Sequence, residues 1–266
     1  MAQQAAKKIL PPRFAAASVL QLVVSLAVLA GIIKSFEGVG ISVSELVSGL
    51  PDMWRVLGEM LPPDLSRLEA VFWRLLETFQ MAVAGTVLGV VLSFPFAVLA
   101  ARNVSPHPVV YYLARTLISL FRTIPDLIWA LFFVVTVGIG AFAGALTIMV
   151  ESIGFCGRFF AEAMEEVDPG PSEALTAIGA GPSGLVFCSV APAAMPSFIN
   201  TSLFNLEKAT RSSVVLGLVG AGGIGIELKV AMDMFRYAEA ATIILCIFVL
   251  VLIVERAGAF VRRRIL

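Results

Sequence analysis

Long apolar runs, separated by short charged or proline-rich segments, dominate the chain. Residues 14–33, 71–101 and 237–254 form three such runs. Each is long enough for an α-helix to cross the hydrocarbon core of a bilayer, which takes about 20 residues. Two further apolar runs, 147–160 and 196–220, include charged residues. The pattern predicts an all-α polytopic membrane protein.

A proline divides the remaining apolar region. Proline lacks a backbone donor and disfavours helical geometry in the residue before it, so Pro125 predicts a break at Ile124 and a new helix from Asp126. The piece from 126 to 139 gives roughly 21 Å of helix at about 1.5 Å per residue, too short to span a bilayer alone. The preceding segment, 109–120, must therefore enter the membrane with it or pack beneath it. Counting the two pieces as one span predicts about six transmembrane helices.

The distribution of charge sets the orientation. Lys+Arg and Asp+Glu both number 19, so net charge gives no reason to expect a nucleic-acid partner. Basic residues flank the first run at Lys7, Lys8 and Arg13 and the last run at 262–264. By the positive-inside rule both termini are predicted to be cytoplasmic. A signal peptide is the alternative for the first run, but the run is longer than the usual apolar region and no clean cleavage site follows.

Three regions follow from this pattern. Residues 1–74 are interpreted as an N-terminal transmembrane helix with an extracytoplasmic loop, 75–258 as the transmembrane core, and 259–266 as a basic cytoplasmic tail. Small residues recur every four positions over 85–93. This spacing lets a second helix approach closely, so it predicts a packing surface.

The fifth span is unusual because Glu207, Lys208 and Arg211 lie near its middle. A lysine or arginine at the bilayer centre costs roughly 2.5–3.5 kcal/mol, so this helix cannot face lipid all round. Glu207 and Arg211 are four residues apart and could pair on one helix face. Arg211 is thus either a pathway residue or half of a structural pair. Asn200 and Ser212 complete the polar side of this helix.

A carboxylate, Glu151, lies deep in the fourth span. Intramembrane carboxylates are functional hypotheses by default, and a structural pair with an arginine at a helix end is the alternative. The three cysteines stand singly and the chain has one histidine, so no metal site is indicated. Residues 220–225 fit a GxGxxG pattern, but that signature needs a soluble βαβ unit. We interpret them as a turn or a close helix contact.

The segment 168–182, the coupling segment, separates the fourth and fifth spans on the predicted cytoplasmic side. Glu173-Ala174, then Gly179 and Pro192, resemble the EAA loop of bacterial ABC-importer permeases. In that family the loop is a coupling helix docked in a groove of the ATP-hydrolysing subunit. Ser189 and Ala191 depart from the family pattern, and an ordinary interhelical turn is the alternative. The resemblance assigns the contact with the ATPase to Glu173, Ala174, Ala177, Ile178, Gly179, Ala180 and Gly181.

From about Leu76 onward, the chain resembles the permease subunit of phosphonate-type ABC importers. The most specific stretch runs from Arg211-Ser212-Ser213 into the glycines at 217–225. Ala209 departs from the family, which usually has Asn there. Supporting matches are Glu77-Thr78, Ala100-Ala101-Arg102-Asn103, Arg122-Thr123-Ile124-Pro125-Asp126 and Gly157-Arg158.

The resemblance implies a type I importer fold like that of methionine permeases, in the bacterial inner membrane and in contact with its lipid. Its implied partners are an ATPase dimer, an extracytoplasmic phosphonate-binding protein and a second permease chain, identical or paralogous. ATP and Mg²⁺ would bind the ATPase, since this chain has no P-loop and no cofactor is expected in it. A phosphonate- or phosphate-type oxyanion would cross by alternating access. Candidate pathway residues are Arg122, Pro125, Asn200, Glu207, Lys208, Arg211 and Ser212.

Rival functions remain open at this point. A permease for methionine or another small metabolite would share the mechanism and differ in its binding protein. An ATP-independent secondary transporter would need an inverted repeat and mid-membrane carboxylates, of which Glu151 and Glu207 are the candidates. A membrane enzyme is disfavoured because no nucleophile–base or metal-ligand cluster is evident in the sequence.

Overall fold

The computed structural model describes residues 16–40 and 42–265, and every regular element among them is helical. The basic residues Lys7, Lys8 and Arg13 lie outside the described residues. The chain divides into two compact units, Met1–Leu57 and Gly58–Leu266.

The first unit holds an apolar helix and most of an amphipathic one. Helix α1 spans Ala16–Val39, and its side chains from residue 19 onward are exposed, as expected of a helix surrounded by lipid. Helix α2, Val43–Glu59, carries apolar residues at helical spacing and buries no side chain. Trp54 on its apolar face is 71% exposed, which suits the membrane–water interface.

The second unit contains the remaining helices. They are α3 (Leu68–Ala100), α4 (Pro108–Thr123), α5 (Asp126–Val137), α6 (Ala141–Glu165), α7 (Gly170–Ala177), α8 (Pro182–Leu185), a π-helical turn (Val186–Val190), α9 (Ala191–Gly217), α10 (Ile224–Asp233) and α11 (Tyr237–Ile265). Helix α11 thus continues through the predicted tail at 259–265.

Five helical stretches are long and apolar enough to cross a membrane, and a bent pair raises the number to six. The pair is α4 and α5, which meet at 88°. Ile124 between them has extended geometry, with φ −75° and ψ 121°, as the proline rule predicts. The break and the count of about six spans are therefore confirmed. The other four stretches of this unit are α3, α6, Pro182–Gly217 and α11.

Helices α3 and α6 pack against each other through the predicted small-residue surface. A Cβ on Gly85 would lie 2.7 Å from the Ile148 Cβ. One turn further on, Gly89 faces Ser152 with even less space. The Ser93 hydroxyl donates to the backbone oxygen of Gly89 at 2.6 Å and reaches that of Ser152 at 3.2 Å. The small residues let the two backbones meet, which confirms the predicted packing role.

The glycine-rich turn between α9 and α10 is a packing element. Gly220, Gly222 and Gly223 have φ values of 90°, 87° and 80°, a region that glycine enters without strain. The Gly140 amide, at the start of α6, donates to the Gly220 oxygen at 3.0 Å. The Ile224 amide donates to the Thr78 hydroxyl of α3 at 2.7 Å. The turn therefore locks three helices together, as the close-contact interpretation predicted.

Candidate functional site

The break between α4 and α5 opens a cleft toward α6 and α9. Proline ends the helix here, so the α4–α5 corner stands away from the charged middle of α9. The resulting space, the Lys208 cleft, has a volume of about 370 Å³. Its lining residues are Phe121, Arg122, Ile124, Pro125, Asp126, Glu151, Phe155 and Lys208.

An ion pair between neighbouring spans lies in this cleft. The Lys208 Nζ is 2.5 Å from the Glu151 Oε1 and 5.0 Å from the centre of the Phe155 ring. The Glu151 side chain is 15% exposed and that of Lys208 is 38% exposed. Glu151 is therefore paired, as one of the two alternatives had it, but its partner is a lysine and not an arginine. Because α6 and α9 pack side by side, Lys208 of α9 lies close enough to pair with Glu151 of α6.

Two arginines of the predicted pathway set have no carboxylate partner among the described residues. Within the described part of the chain, neither Arg122 nor Arg211 makes an ion pair or hydrogen bond, and both are exposed. Arg122 lines the Lys208 cleft, whereas Arg211 lies outside its lining. Their guanidinium groups are therefore available to an anion or to another protein chain.

The pair between Glu207 and Arg211, one of the two alternatives for Arg211, does not form. Glu207 lies against α11, with its Oε1 2.8 Å from the Arg262 Nη2 and packed over Gly258. Among the described residues this enclosed oxygen accepts no well-aligned hydrogen bond, so charge rather than hydrogen-bond geometry holds the pair. The i, i+4 spacing allowed a local pair, but α11 covers Glu207 and supplies Arg262 as its partner.

The structure brings together only part of the predicted pathway set. Arg122, Pro125 and Lys208 line one cleft, while Asn200, Glu207, Arg211 and Ser212 do not. Asn200 and Arg211 are exposed and Ser212 is partly exposed. Along a 3.6-residue helix, Asn200, Lys208, Arg211 and Ser212 spread over one broad side of α9, and Glu207 lies on that side as well. Glu207 differs from the other four residues because it is buried.

Asp126 belongs to the cleft and was missed as a site residue. It opens α5, and its Oδ1 accepts a hydrogen bond from the Leu127 amide at 3.0 Å. A carboxylate is favourable at a helix N-terminus, where backbone amides carry partial positive charge. An acidic residue directly after the Pro125 break was the available sequence signal. With Asp126 included, two cations and two carboxylates line the cleft.

The coupling segment folds as a short helix with an exposed outer surface. Helix α7 ends at Ala177, and Gly179 has a φ of 87°. The Gly179 amide donates to the Thr176 oxygen and the Ala180 amide to the Leu175 oxygen, both at 3.0 Å. These bonds close the helix end as a positive-φ glycine commonly does. Glu173, Ala174, Ala177, Ile178, Gly179 and Gly181 are exposed, and Ala180 is partly exposed.

Ser189 links the coupling segment to the fifth span. Its hydroxyl lies 2.9 Å from that of Ser172 in α7. Ser189 belongs to the π-helical turn that runs directly into α9. One of the two residues that depart from the EAA pattern therefore makes a specific contact with the coupling helix.

An acidic residue on α6 braces the cytoplasmic end of the bundle. The Glu165 carboxylate accepts from Arg115 of α4 at 2.9 Å and from the Arg102 amide at 2.7 Å.

No cluster of three or more histidine, cysteine, aspartate or glutamate residues suited to a metal occurs in the described ranges.

Comparisons with known proteins agree with this architecture. A family model described as binding-protein-dependent transport system inner membrane component matches residues 93–266. The phosphite transport system permease protein PtxC of Stutzerimonas stutzeri is 40% identical, over 82% of this chain and 79% of its own. The phosphate-import permease protein PhnE of Mycolicibacterium smegmatis is 38% identical, over 79% of this chain and 40% of its own.

A solved structure shares the fold. The permease chain of the MetNI methionine ABC transporter, crystallised in inward-facing conformations, superposes with a TM-score of 0.67. It is 24% identical and covers 76% of this chain and 99% of its own length. At that identity the likeness concerns the fold and not the cargo.

These matches extend over most of the chain. Membership implies a multi-pass protein of the bacterial inner membrane that works with a separate ATPase subunit and a substrate-binding protein. The exposed coupling helix, the five to six spans and the methionine-permease-like fold are consistent with that. The chain belongs to the binding-protein-dependent transport system inner membrane component family, as the permease subunit of an ABC importer.

Proposed function

We propose that the chain forms the path by which a phosphorus oxyanion, such as phosphite, phosphate or a phosphonate, enters the cell. The observation that carries the proposal is the Lys208 cleft, where Arg122 and Lys208 line one space beside a broken membrane span. An anion in a low-dielectric region needs cationic groups or donors around it. The 40% identity to a phosphite permease supports the same cargo class.

The exposed side of α9 extends the path beyond the cleft. Arg211 and Asn200 offer donors there, with Ser212 beside them. Pairing with a second permease chain, identical or paralogous, would cover this side and place a second set of cations across from the first. Pro125 shapes the cleft by breaking the helix, and Glu207 stabilises the α9–α11 contact without touching cargo.

The coupling segment converts ATP hydrolysis into movement of this path. An ATPase dimer, with ATP and Mg²⁺ bound to its own chains, would hold the exposed surface around Glu173 and Gly179. Its closure would push α7, which connects through the π-helical turn to α9. Lys208 and Arg211 lie on that helix, so the push would switch the path between outward and inward openings. The extracytoplasmic binding protein would deliver the anion.

Two rival functions fit less well. The relatives and the solved structure named for methionine transport are 24–29% identical, whereas the phosphite and phosphate permeases reach 40% and 38%. A secondary transporter would need carboxylates free to bind a proton or sodium ion at mid-membrane. Glu151 and Glu207 already lie against Lys208 and Arg262.

Uptake by the reconstituted importer tests the proposal. Proteoliposomes with the ATPase and binding protein would be loaded with ATP, and entry of radiolabelled phosphate or phosphite would be measured. Arg122→Gln and Lys208→Met should each reduce uptake at least about tenfold, since each removes a charge from the cleft. Lys229→Gln is the matched control, because Lys229 forms an exposed pair with Asp233 on α10. Uptake of methionine instead, or full oxyanion uptake by both cleft variants, would reject the proposal.

A further inference from the structure

We propose that Glu151 is a built-in stand-in for the transported anion. It neutralises Lys208 while the Lys208 cleft holds no cargo, and it gives up the lysine when an oxyanion enters. The inference rests on the proposed function, because it concerns the same cleft and the same class of cargo.

The charges of the cleft are balanced without cargo. Arg122 and Lys208 contribute two positive charges, and Asp126 and Glu151 contribute two negative charges. Asp126 is engaged at the N-terminus of α5, where it accepts from the Leu127 amide. Glu151 is the carboxylate in contact with the lysine, at 2.5 Å. Arg122 has no carboxylate partner among the described residues.

An incoming oxyanion can replace Glu151 at the lysine. Carboxylate and phosphoryl oxygens accept hydrogen bonds from an ammonium group in the same way. A phosphorus oxyanion has more oxygens than one carboxylate and can also engage Arg122, which lines the same cleft. Lys208 would then exchange one negative partner for another and would not stand uncompensated in a low-dielectric cleft.

This competition would tune affinity. A site that binds its ion too tightly cannot release it. Transport therefore requires binding that is weak enough for the ion to leave. Glu151 opposes the cargo by its charge and by holding the lysine. Removing its charge should therefore increase affinity and slow release.

The other ion pair of α9, between Glu207 and Arg262, shows how a purely structural pair differs. Glu207 and Arg262 have side chains that are 9% and 24% exposed, and neither lines the Lys208 cleft. Lys208, by contrast, is 38% exposed and faces a space of about 370 Å³. The Lys208–Glu151 pair is open to an anion, and the Glu207–Arg262 pair is not.

The test is anion binding by the full chain, purified with its ATPase in detergent stripped of phospholipid. Equilibrium binding of radiolabelled inorganic phosphate or phosphite would be compared for wild type, Glu151→Gln, Lys208→Met and the double variant. Glu151→Gln should bind at least about tenfold more tightly, since one unit charge close to the anion is removed. Lys208→Met and the double variant should both lose binding.

Glu162→Gln is the matched control. It makes the same change on the same helix, in a pair with Arg158 that lies outside the cleft lining. Its affinity for the anion should equal that of wild type. Unchanged or weaker anion binding by Glu151→Gln, in a sample that still carries its ATPase, would overturn the inference. The absence of anion binding in both wild type and Glu151→Gln would overturn it as well.

Stability gives a second readout if Glu151→Gln folds poorly. An unpaired Lys208 should lower the thermal midpoint of the variant, and inorganic phosphate should raise it more than it raises that of wild type. No such rescue would count against the stand-in role. Phosphatidylglycerol, which carries the same phosphate chemistry, would be added in a separate arm. If the lipid binds in a Lys208-dependent way and free phosphate does not displace it, the cleft is a lipid site and the stand-in role is wrong.

The two proposals can fail separately. If the wild-type importer takes up no phosphorus oxyanion, or if Arg122→Gln and Lys208→Met both take it up as fully as wild type, the proposed function is wrong. If those variants abolish uptake while Glu151→Gln leaves anion affinity unchanged, the stand-in role alone is wrong.

Discussion

The hydroxyl groups of Ser172 and Ser189 lie 2.9 Å apart and join the coupling helix to the base of the fifth span. The bond crosses from α7 to the π-helical turn, where helical hydrogen bonding is locally altered before α9 begins. Such π-turns are frequent at functional sites. A push on α7 can therefore act on α9 through a direct contact as well as through the intervening chain.

Removing this contact should weaken the coupling of ATP hydrolysis to transport. One neutral hydrogen bond contributes about 1 kcal/mol, so Ser189→Ala should lower the oxyanion taken up per ATP hydrolysed about two- to fivefold. Ser172→Ala should have the same effect, and the double variant should be no worse than either single one. The ratio would be measured in proteoliposomes.

Ser202→Ala provides the control for that measurement. The Ser202 hydroxyl bonds within α9, to the Phe198 oxygen at 2.7 Å, so its loss should leave coupling unchanged. If Ser172→Ala and Ser189→Ala both take up as much oxyanion per ATP as wild type, the hydroxyl pair does not contribute to coupling.

Binding of the ATPase should depend on the exposed surface of α7. Glu173→Arg reverses a charge there, and Gly179→Asp places a side chain on a backbone with a φ of 87°. A non-glycine residue in that region costs roughly 1–2 kcal/mol. The double variant, purified by a tag from detergent, should bring down little ATPase where wild type brings down a full complement. Glu166→Arg, an exposed reversal just outside the segment, should retain the ATPase; equal recovery with all three proteins would refute the docking role.

The Glu207–Arg262 pair should be a major determinant of stability. Arg262→Ala leaves a buried carboxylate unpaired, which costs about 3–5 kcal/mol. The thermal midpoint in detergent should therefore fall steeply, and Glu207→Gln combined with Arg262→Met should recover most of the loss. Arg263→Ala, an exposed neighbour, should change the midpoint little. A midpoint for Arg262→Ala equal to that of Arg263→Ala would mean that Glu207 has water or another partner.

Much of the fold could be predicted because its determinants are local. Run length indicates the spans, Pro125 dictates the break at Ile124, and Gly179 ends the coupling helix whatever packs around it. The partners of the buried charges could not be predicted in this way. Local spacing favoured Arg211 as the partner of Glu207, but the partner is Arg262, 55 positions along the chain. Which residues share the Lys208 cleft likewise depends on how α4, α6 and α9 pack.

The glycine turn should tolerate no side chain at Gly223. A Cβ there would lie 2.5 Å from the Thr78 hydroxyl oxygen, which also accepts from the Ile224 amide. Gly223→Ala should therefore be less stable than wild type by about 2 kcal/mol or more, combining a strained φ with overpacking. Gly138→Ala separates these causes, because Gly138 has a φ of 97° but a Cβ added to it would meet nothing within 4 Å. Thermal unfolding in detergent should show the larger loss at Gly223. Equal losses would mean that backbone strain alone, and not the contact with α3, makes glycine necessary in this turn.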